Sequence, residues 1–291
     1  MVAVTAGRRE RVAGSLLLAA LVVVTLAPLA DLFVTALHPP GTYPRGLTWP
    51  EDPHWSNFAT AFRSARVDRL LASSGLVVLC AVPATLALAV PAGYALGHLR
   101  FPGHRVVFGL FALGLVLPLE AVVTPLYHQV RDLGLLNTRW GLVAALVAVH
   151  LPFAVFWTRA HFAGAPPELS DSARLDGAGP WQLFRRVHLP LARPAVSSLA
   201  VLLCTWTWNH FLLAIVLVDD PGQRTAAGVL GAFQGRWGTD VPLLCAGTLL
   251  VLAPVLLVFA LLHRRVPAEV ARSALAGTGP FTGAGGAARG R

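Results

Sequence analysis

The apolar residues of this chain are gathered into long windows free of charge, each closed at both ends by arginine or an acid. A helix needs about 20 apolar residues to cross roughly 30 Å of hydrocarbon. Six windows meet that length, and they predict transmembrane helices over residues 13–37, 70–98, 106–127, 140–160, 194–218 and 241–263. The window between Arg69 and Arg100 is the longest, and the third is interrupted by Pro118, Glu120 and Pro125. The first follows Arg8, Arg9 and Arg11. Its apolar run is too long for a signal peptide and the small-residue cleavage pattern is poor, which favours an uncleaved anchor.

Composition agrees with that pattern. Of 291 residues, 55% are hydrophobic and 13% charged, about half the charged share of a soluble protein. So few charges cannot cover a water-soluble surface of this size. All 23 basic residues are Arg, which gives a net charge of +9. Because these arginines punctuate apolar windows and do not cluster on a soluble domain, nucleic acid is not the expected partner. With the N-terminus inside, 15 of the 23 arginines fall on the cytoplasmic side, and Glu51, Asp52, Asp68, Asp132, Asp219, Asp220 and Asp240 fall outside. The positive-inside bias therefore places both termini in the cytoplasm. The chain divides into a cytoplasmic tail (1–11), a membrane domain (12–265) and a second cytoplasmic tail (266–291) whose Gly/Ala-rich end has the composition of a disordered segment. Outside, residues 38–69 end in FATAFRSARVDRLL, an amphipathic stretch suited to the membrane surface. The long internal loop is 162–193, and no internal repeat stands out.

Motifs of enzyme chemistry are missing. A chain without Lys holds no phosphate-loop lysine and does not hydrolyse ATP by itself. Neither H-E-x-x-H nor G-x-S-x-G occurs, which disfavours a membrane hydrolase. Cys80, Cys204 and Cys245 each stand alone in an apolar stretch, so neither a disulfide framework nor a metal site is expected. No cofactor is implied.

The internal loop contains PPELSDSARLDGAGPWQLFRRVHLPLARP, residues 166–194. Pro167 suits a helix start, and Glu168 and Asp171 complement the positive end of the helix dipole. Gly177, just past Asp176, suits a left-handed C-terminal cap. Pro180 opens a second helix with Trp181, Phe184 and Val187 on its apolar side and Arg185, Arg186 and His188 on the rest. Pro190 and Pro194 end it. By this physics alone the loop is equally an amphipathic segment lying on lipid headgroups. Glu120 is an ionisable group inside the third window, where a functional role is the default; the other reading is a neutral or paired carboxyl near the outer interface. His150 reads as a packed neutral imidazole, and Asn209 and His210 either hydrogen-bond between helices or line a path.

The internal loop resembles the EAA loop of binding-protein-dependent ABC importer permeases, whose pattern is E-A-A-x-x-D-G-A, then F, then L-P-x-x-x-P. Asp171, Ser172, Ala173, Asp176, Gly177, Ala178, Phe184, Leu189, Pro190 and Pro194 stand in matching register, with Asp for Glu and Ser for Ala as the departures. Three further tracts are similar to the maltose-type, MalG-like branch: GYALGHLRFPG (93–103), LGLLNTRWGL (133–142) and WTWNHF (206–211). In the last, His210 replaces an acidic residue, and Ser73-Ser74 stands where Asn-Ser is usual. The similarity covers roughly residues 55–275 and leaves out the tail.

The resemblance implies an all-α integral membrane protein of MetI-like fold, with six transmembrane helices and a cytoplasmic helix-turn-helix coupling loop. It implies one permease subunit of a heteromeric sugar importer in the bacterial cell membrane. The implied partners are a second permease subunit forming a heterodimer, two ATP-binding cassette ATPase subunits and an extracellular or periplasmic solute-binding protein. The implied coupling residues are Glu168, Leu169, Asp171, Ser172, Ala173, Asp176, Gly177, Ala178, Trp181, Phe184, Leu189, Pro190 and Pro194, with Leu169, Ala173 and the Trp181–Phe184 face docking on the ATPase. The pathway candidates are Glu120, Trp208, Asn209 and His210. Because the loop motif is shared, polyamine, phosphate and peptide importers are the alternatives to sugar. A stand-alone secondary transporter is the further rival, and it would favour an inverted repeat or coupling-ion carboxylates near midplane.

Overall fold

The computed structural model describes residues 8–220, 222–226, 233–235 and 238–262. The predicted tail 266–291 lies outside the described residues. The described residues divide into two compact units, one holding those up to Asp68 and those from 233 to Pro254, the other holding those from Arg69 to 226 and from Val255 to Leu262.

In the first unit, helix α1 (Arg8–Ala36) is apolar on every side from Gly14 to Leu29 and exposed along that stretch; Leu17 is 63% and Val24 70% exposed. A helix apolar all round is stable only where its solvent is lipid or more protein. The last carbonyls of a helix have no partner within it. Here the buried Asn57, on α2 (Ser56–Ser64), donates from Nδ2 to Ala36 O and His38 O, both at 2.8 Å. The outer stretch FATAFRSARVDRLL is therefore not one surface helix. It ends at Ser64, turns through Arg66 at φ +50 and continues as the start of α3 (Val67–His98).

The second unit is built around α3 and α6 (Arg139–Ala163), with α4 (His104–Val116) and α5 (Leu119–Asp132) between them in sequence. A single helix over 106–127 is not what forms. Helices α4 and α5 are bent by 108°. Pro118 supplies no N–H, and its ring drives Leu117 into extended backbone at φ −67, ψ 123. Prolines 83, 91, 125 and 152, in contrast, lie inside helices that continue past them.

The loop region folds as α7 (Pro167–Leu175), α8 (Pro180–Gln182), a π-turn (Leu183–His188) and α9 (Leu189–Leu191). Pro190 does not end the second loop helix, as its ring would suggest. The helical path widens to a π-turn just before it, Leu189 N–H bonding Phe184 O, and runs on to Leu191. Such a turn absorbs the missing donor without breaking the rod. The bend of 67° comes later, between Leu191 and α10 (Arg193–Trp208). After α10 the chain is non-helical at Asn209 and His210 before α11 (Phe211–Leu217). The predicted fifth span is thus interrupted like the third.

The first unit also holds a two-residue antiparallel pair, β1 (Gln234–Gly235) with β2 (Gly238–Thr239), and the start of α12 (Val241–Leu262), which runs through Pro254. Asp240 caps α12, its Oδ1 accepting from Leu243 N–H at 3.2 Å. Among the described residues, by length and composition, three helices can cross a membrane (Gly14–Ala36, Val67–His98 and Arg139–Ala163), or five if each bent pair counts as one span.

Helices α3 and α6 touch at backbone distance. A Cβ on Gly93 would stand 2.1 Å from Thr158 Oγ1, and one on Gly97 would stand 2.8 Å from Arg159 O. Four residues apart on one face, the two glycines form the small-residue groove that lets apolar helices approach closely. Thr158 Oγ1 fills it, 2.9 Å from Ala89 O and 2.8 Å from Ala154 O. Three apolar clusters follow one another along this pair: one around Val77, Leu146 and Leu217, a second around Ala89, Val155 and Leu203, and a third around Tyr94, Phe162 and Phe184.

Candidate functional site

The interruptions of the third and fifth predicted spans border one cleft. Its volume is about 460 Å³, and its walls include Leu119, Glu120, His150, Trp206, Asn209, His210 and Phe211. Non-helical backbone at membrane depth is tolerated only where it is buried in protein or lines a water-filled cavity. Asn209 and His210 are walls of this cleft, and the break at Leu117–Pro118 adjoins it through Leu119 and Glu120.

Glu120, expected inside an unbroken third span or near its outer interface, stands at the break of that span. It is exposed, in the first turn of α5 just past the break. There the positive end of the helix dipole offsets part of the cost of its charge. Asn209 caps α10, donating from Nδ2 to Thr205 O at 2.9 Å. His150 is buried, with its ring 6.0 Å from that of Trp206 and 6.0 Å from that of His210. Trp206 in turn packs on Phe153 at 4.8 Å.

Three of the four sequence-derived pathway residues, Glu120, Asn209 and His210, are thus brought together. Trp208 is not: the indole on this wall belongs to Trp206, two positions earlier. Two residues along a helix turn the side chain through about 200°, so the motif alone could not choose between the two tryptophans. His150 was read as a packing residue and is a wall of the cleft as well. A carboxylate, an amide and two imidazoles facing an indole can hydrogen-bond a polyhydroxylated ligand and cover its apolar face.

The loop has a second kind of surface. Gly177 stands at φ +80 and ends α7 in a Schellman pattern, with Ala178 N–H bonding Ala173 O and Gly177 N–H bonding Arg174 O, both at 3.0 Å. Gly179 N–H then bonds Gln182 Oε1 at 3.1 Å and opens the next helix. Glu168, Asp171, Ser172, Asp176 and Pro194 are exposed, while Ala173, Ala178, Leu189 and Pro190 are half-buried. Asp171 pairs with Arg174 at 3.0 Å on the open surface, where such a pair adds little.

Leu169 (38% exposed), Leu175 (89%) and Trp181 (67%) are left facing outward. Phe184 does not belong to that outer face. It is buried against Tyr94, with ring centroids 4.8 Å apart, and anchors the loop inward. His188, expected on the polar surface, is 1% exposed within the same aromatic cluster. Sequence reasoning missed Leu175, an apolar residue between Arg174 and Asp176 and the most exposed leucine of the loop.

A cleft bordered by broken apolar helices and a capped loop with an apolar outer face are what a membrane transport component needs. The chain matches the family model of the binding-protein-dependent transport system inner membrane component over residues 89–269, and it belongs to that family. A member is a multi-pass transport component of the membrane and not itself a catalyst. The chain is 32% identical over 223 residues to the diacetylchitobiose uptake system permease protein NgcG of Streptomyces coelicolor, covering 75% of this chain and 74% of that protein. It is 30% identical to the trehalose transport system permease protein SugB of Mycobacterium tuberculosis, covering 87% of this chain and 93% of that one. Its fold is similar to a chain of a bacterial ABC transporter involved in the import of the acidic polysaccharide alginate, at TM-score 0.73 and 22% identity, over 90% of this chain and 99% of the other.

Proposed function

We propose that this chain forms half of the translocation pathway for a carbohydrate and couples it to separate ATPase subunits through residues 166–194. The observation that carries the reading is the meeting of both helix interruptions at one cleft lined by Glu120, His150, Trp206, Asn209 and His210. The diacetylchitobiose and trehalose permeases among its relatives support a neutral saccharide as cargo. An exposed apolar patch outside the spans (Leu169, Leu175, Trp181) calls for a partner, and an ATPase cleft supplies one. The assembly is a heterodimer with a second permease subunit, two ATPases inside and a solute-binding protein outside. ATP-driven closure of the ATPases moves the docked loops and shifts the cleft between inward-open and outward-open states.

Uptake of labelled trehalose, diacetylchitobiose and maltose by cells with and without the gene tests the cargo. Loss of one of the three supports the reading. Unchanged carbohydrate uptake with loss of polyamine, phosphate or peptide uptake overturns it. On the carbohydrate thus identified, Glu120→Gln lowers uptake about fivefold to tenfold, the worth of one hydrogen bond of about 1–1.5 kcal/mol, with normal membrane assembly. Trp206→Ala lowers it further, and Trp208→Ala lowers it less. Equal effects of the two tryptophan variants would remove Trp206 from the pathway.

The membrane layout in this reading has six spans, one membrane domain over 12–265 and both termini cytoplasmic. In a cysteine-free background, a thiol introduced at Gly222 reacts with an impermeant maleimide added outside whole cells, and one at Gly179 does not. Reaction of both from the same side contradicts the layout.

A further inference from the structure

The cytoplasmic end of α3 and the coupling segment are joined by three polar side chains that the reading above does not use. Ser170, on α7, is 2% exposed, and its hydroxyl lies 3.2 Å from His98 Nε2 and 3.0 Å from His188 Nε2. His98 is the last residue of α3, and His188 the last of the π-turn. The two imidazole centroids are 4.3 Å apart. Tyr94 stacks on His98 at 5.2 Å, and Phe162 and Phe184 close the cluster around Tyr94. One serine hydroxyl thus meets two ring nitrogens that come from different elements.

Hydrogen counting orders these contacts. A serine hydroxyl has one proton to give and two lone pairs; with Ser170 buried and these two ring nitrogens its partners, its own proton is satisfied when it donates to one Nε2 and accepts from the other. His188 Nδ1 is buried without a partner. A proton there would be a buried donor left unsatisfied, whereas a bare lone pair at the same place is the cheaper state. His188 therefore carries its proton on Nε2 and donates it to Ser170 Oγ, and Ser170 O–H donates to His98 Nε2. The chain runs in one direction, from π-turn to α7 to α3.

We infer that Ser170, His98 and His188 are positioning residues that clasp the coupling helix α7 and the π-turn to the end of α3, so that movement of the docked loop is carried into that span, and that acid releases them. The inference rests on the proposed coupling role of residues 166–194. Protonation breaks the chain from either end: on His98 it removes the acceptor for Ser170 O–H, and on His188 it places a second N–H at the unpartnered Nδ1. The charged and titratable groups facing His188 are Tyr94 and His98 of α3, His161 of α6 and Arg174 of α7, none of them an acid. Burial first, then repulsion from His98 and His161 whenever these are protonated and from the Arg174 guanidinium, holds the His188 imidazole below its usual range. A depressed histidine pKa means that the open form binds the proton more readily than the clasped form. Clasping is then complete above the ordinary histidine value of about 6.5 and weakens as the pH falls below it.

Hydrogen exchange of residues 167–191, corrected for intrinsic rate, tests this on the full complex with its ATPases in phosphatidylethanolamine/phosphatidylglycerol nanodiscs. In the wild type, protection of α7 falls about tenfold between pH 7.5 and 5.5. Ser170→Ala, which keeps the packing, loses about tenfold at pH 7.5 and shows no further fall, and Ser170→Thr restores both. His188→Gln keeps a donor near the Nε2 position without a titrating ring, so it stays protected at pH 7.5, and its fall toward pH 5.5, left to His98 alone, is smaller than that of the wild type. Wild-type protection and pH profile in Ser170→Ala, or an unchanged fall in His188→Gln, overturns the clasp. Its failure is separate from failure of the coupling reading, which is decided by whether the ATPase still co-purifies with Gly177→Val.

Discussion

Gly177→Val leaves the protein in the membrane but separates it from its ATPase and abolishes uptake. The residue stands at φ +80 and is exposed, with nothing within 4 Å of where a Cβ would be. No clash is therefore created, and the whole effect comes from the backbone. A left-handed conformation costs an L-residue about 1–2 kcal/mol, and a β-branched side chain tolerates it least. The strain is relieved by giving up the two capping bonds, Ala178 N–H to Ala173 O and Gly177 N–H to Arg174 O. Those bonds fix the angle between α7 and the helical run that begins at Pro180. When they go, Leu169 and Leu175 no longer share a surface with Trp181. A small interface loses affinity quickly when its central contacts are misplaced, so co-purification of the ATPase falls at least tenfold. Gly177→Asn, which tolerates the left-handed region, keeps most of the association. Full ATPase binding and full uptake in the valine variant would reduce residues 166–194 to a surface loop.

Gly93→Val acts in the opposite way, on the fold. Its Cβ would lie 2.1 Å from Thr158 Oγ1 and 2.8 Å from the backbone nitrogen of Arg159. The second of these is main chain of α6 and cannot swing aside. Helices α3 and α6 must then move apart, which opens the bonds of Thr158 to Ala89 O and Ala154 O. Overpacking of this kind costs about 3 kcal/mol, the upper end of the usual range. Between helices in lipid, close packing is the main source of attraction, so the loss is not made up elsewhere. The variant yields little detergent-extractable, monodisperse protein. Gly75→Val is the control on the same helix, because a Cβ there meets nothing within 4 Å. Equal yields from both variants would show that the α3–α6 contact does not hold the unit together.

Much of this molecule is decided by local properties that a sequence carries openly. Long charge-free windows made α1, α3, α6 and α12 legible, because a helix buried in lipid must be apolar on every side. Gly177 was legible for a similar reason: a glycine after an amphipathic turn, followed by a proline, is what a left-handed cap requires. The resemblance of residues 166–194 to the permease loop rested on the same local chemistry, since caps and turns repeat wherever a loop of that shape is built.

Other features were settled only by what packs against what. Pro118 and Pro152 look alike in sequence, yet α6 runs through Pro152 while the chain breaks at Leu117–Pro118 and bends by 108°. A proline removes one donor in either setting, and whether the helix survives depends on the neighbours around it. Trp206 rather than Trp208 faces the cleft because α10 is rotated by its contacts with α6, a rotation no motif encodes. Helical periodicity put His188 on the polar side of the second loop helix and the resemblance put Phe184 on the docking face, but both turn inward onto Tyr94. The Ser170 clasp joins residues 72 and 18 positions apart, and none of the three side chains is unusual in its own segment. The sequence by itself determined where the chain can live in a bilayer and how its loop is capped, because those depend on neighbours along the chain. Which side chains meet at the cleft and at the clasp was decided by the tertiary structure, because helix rotation and register are set by packing across space.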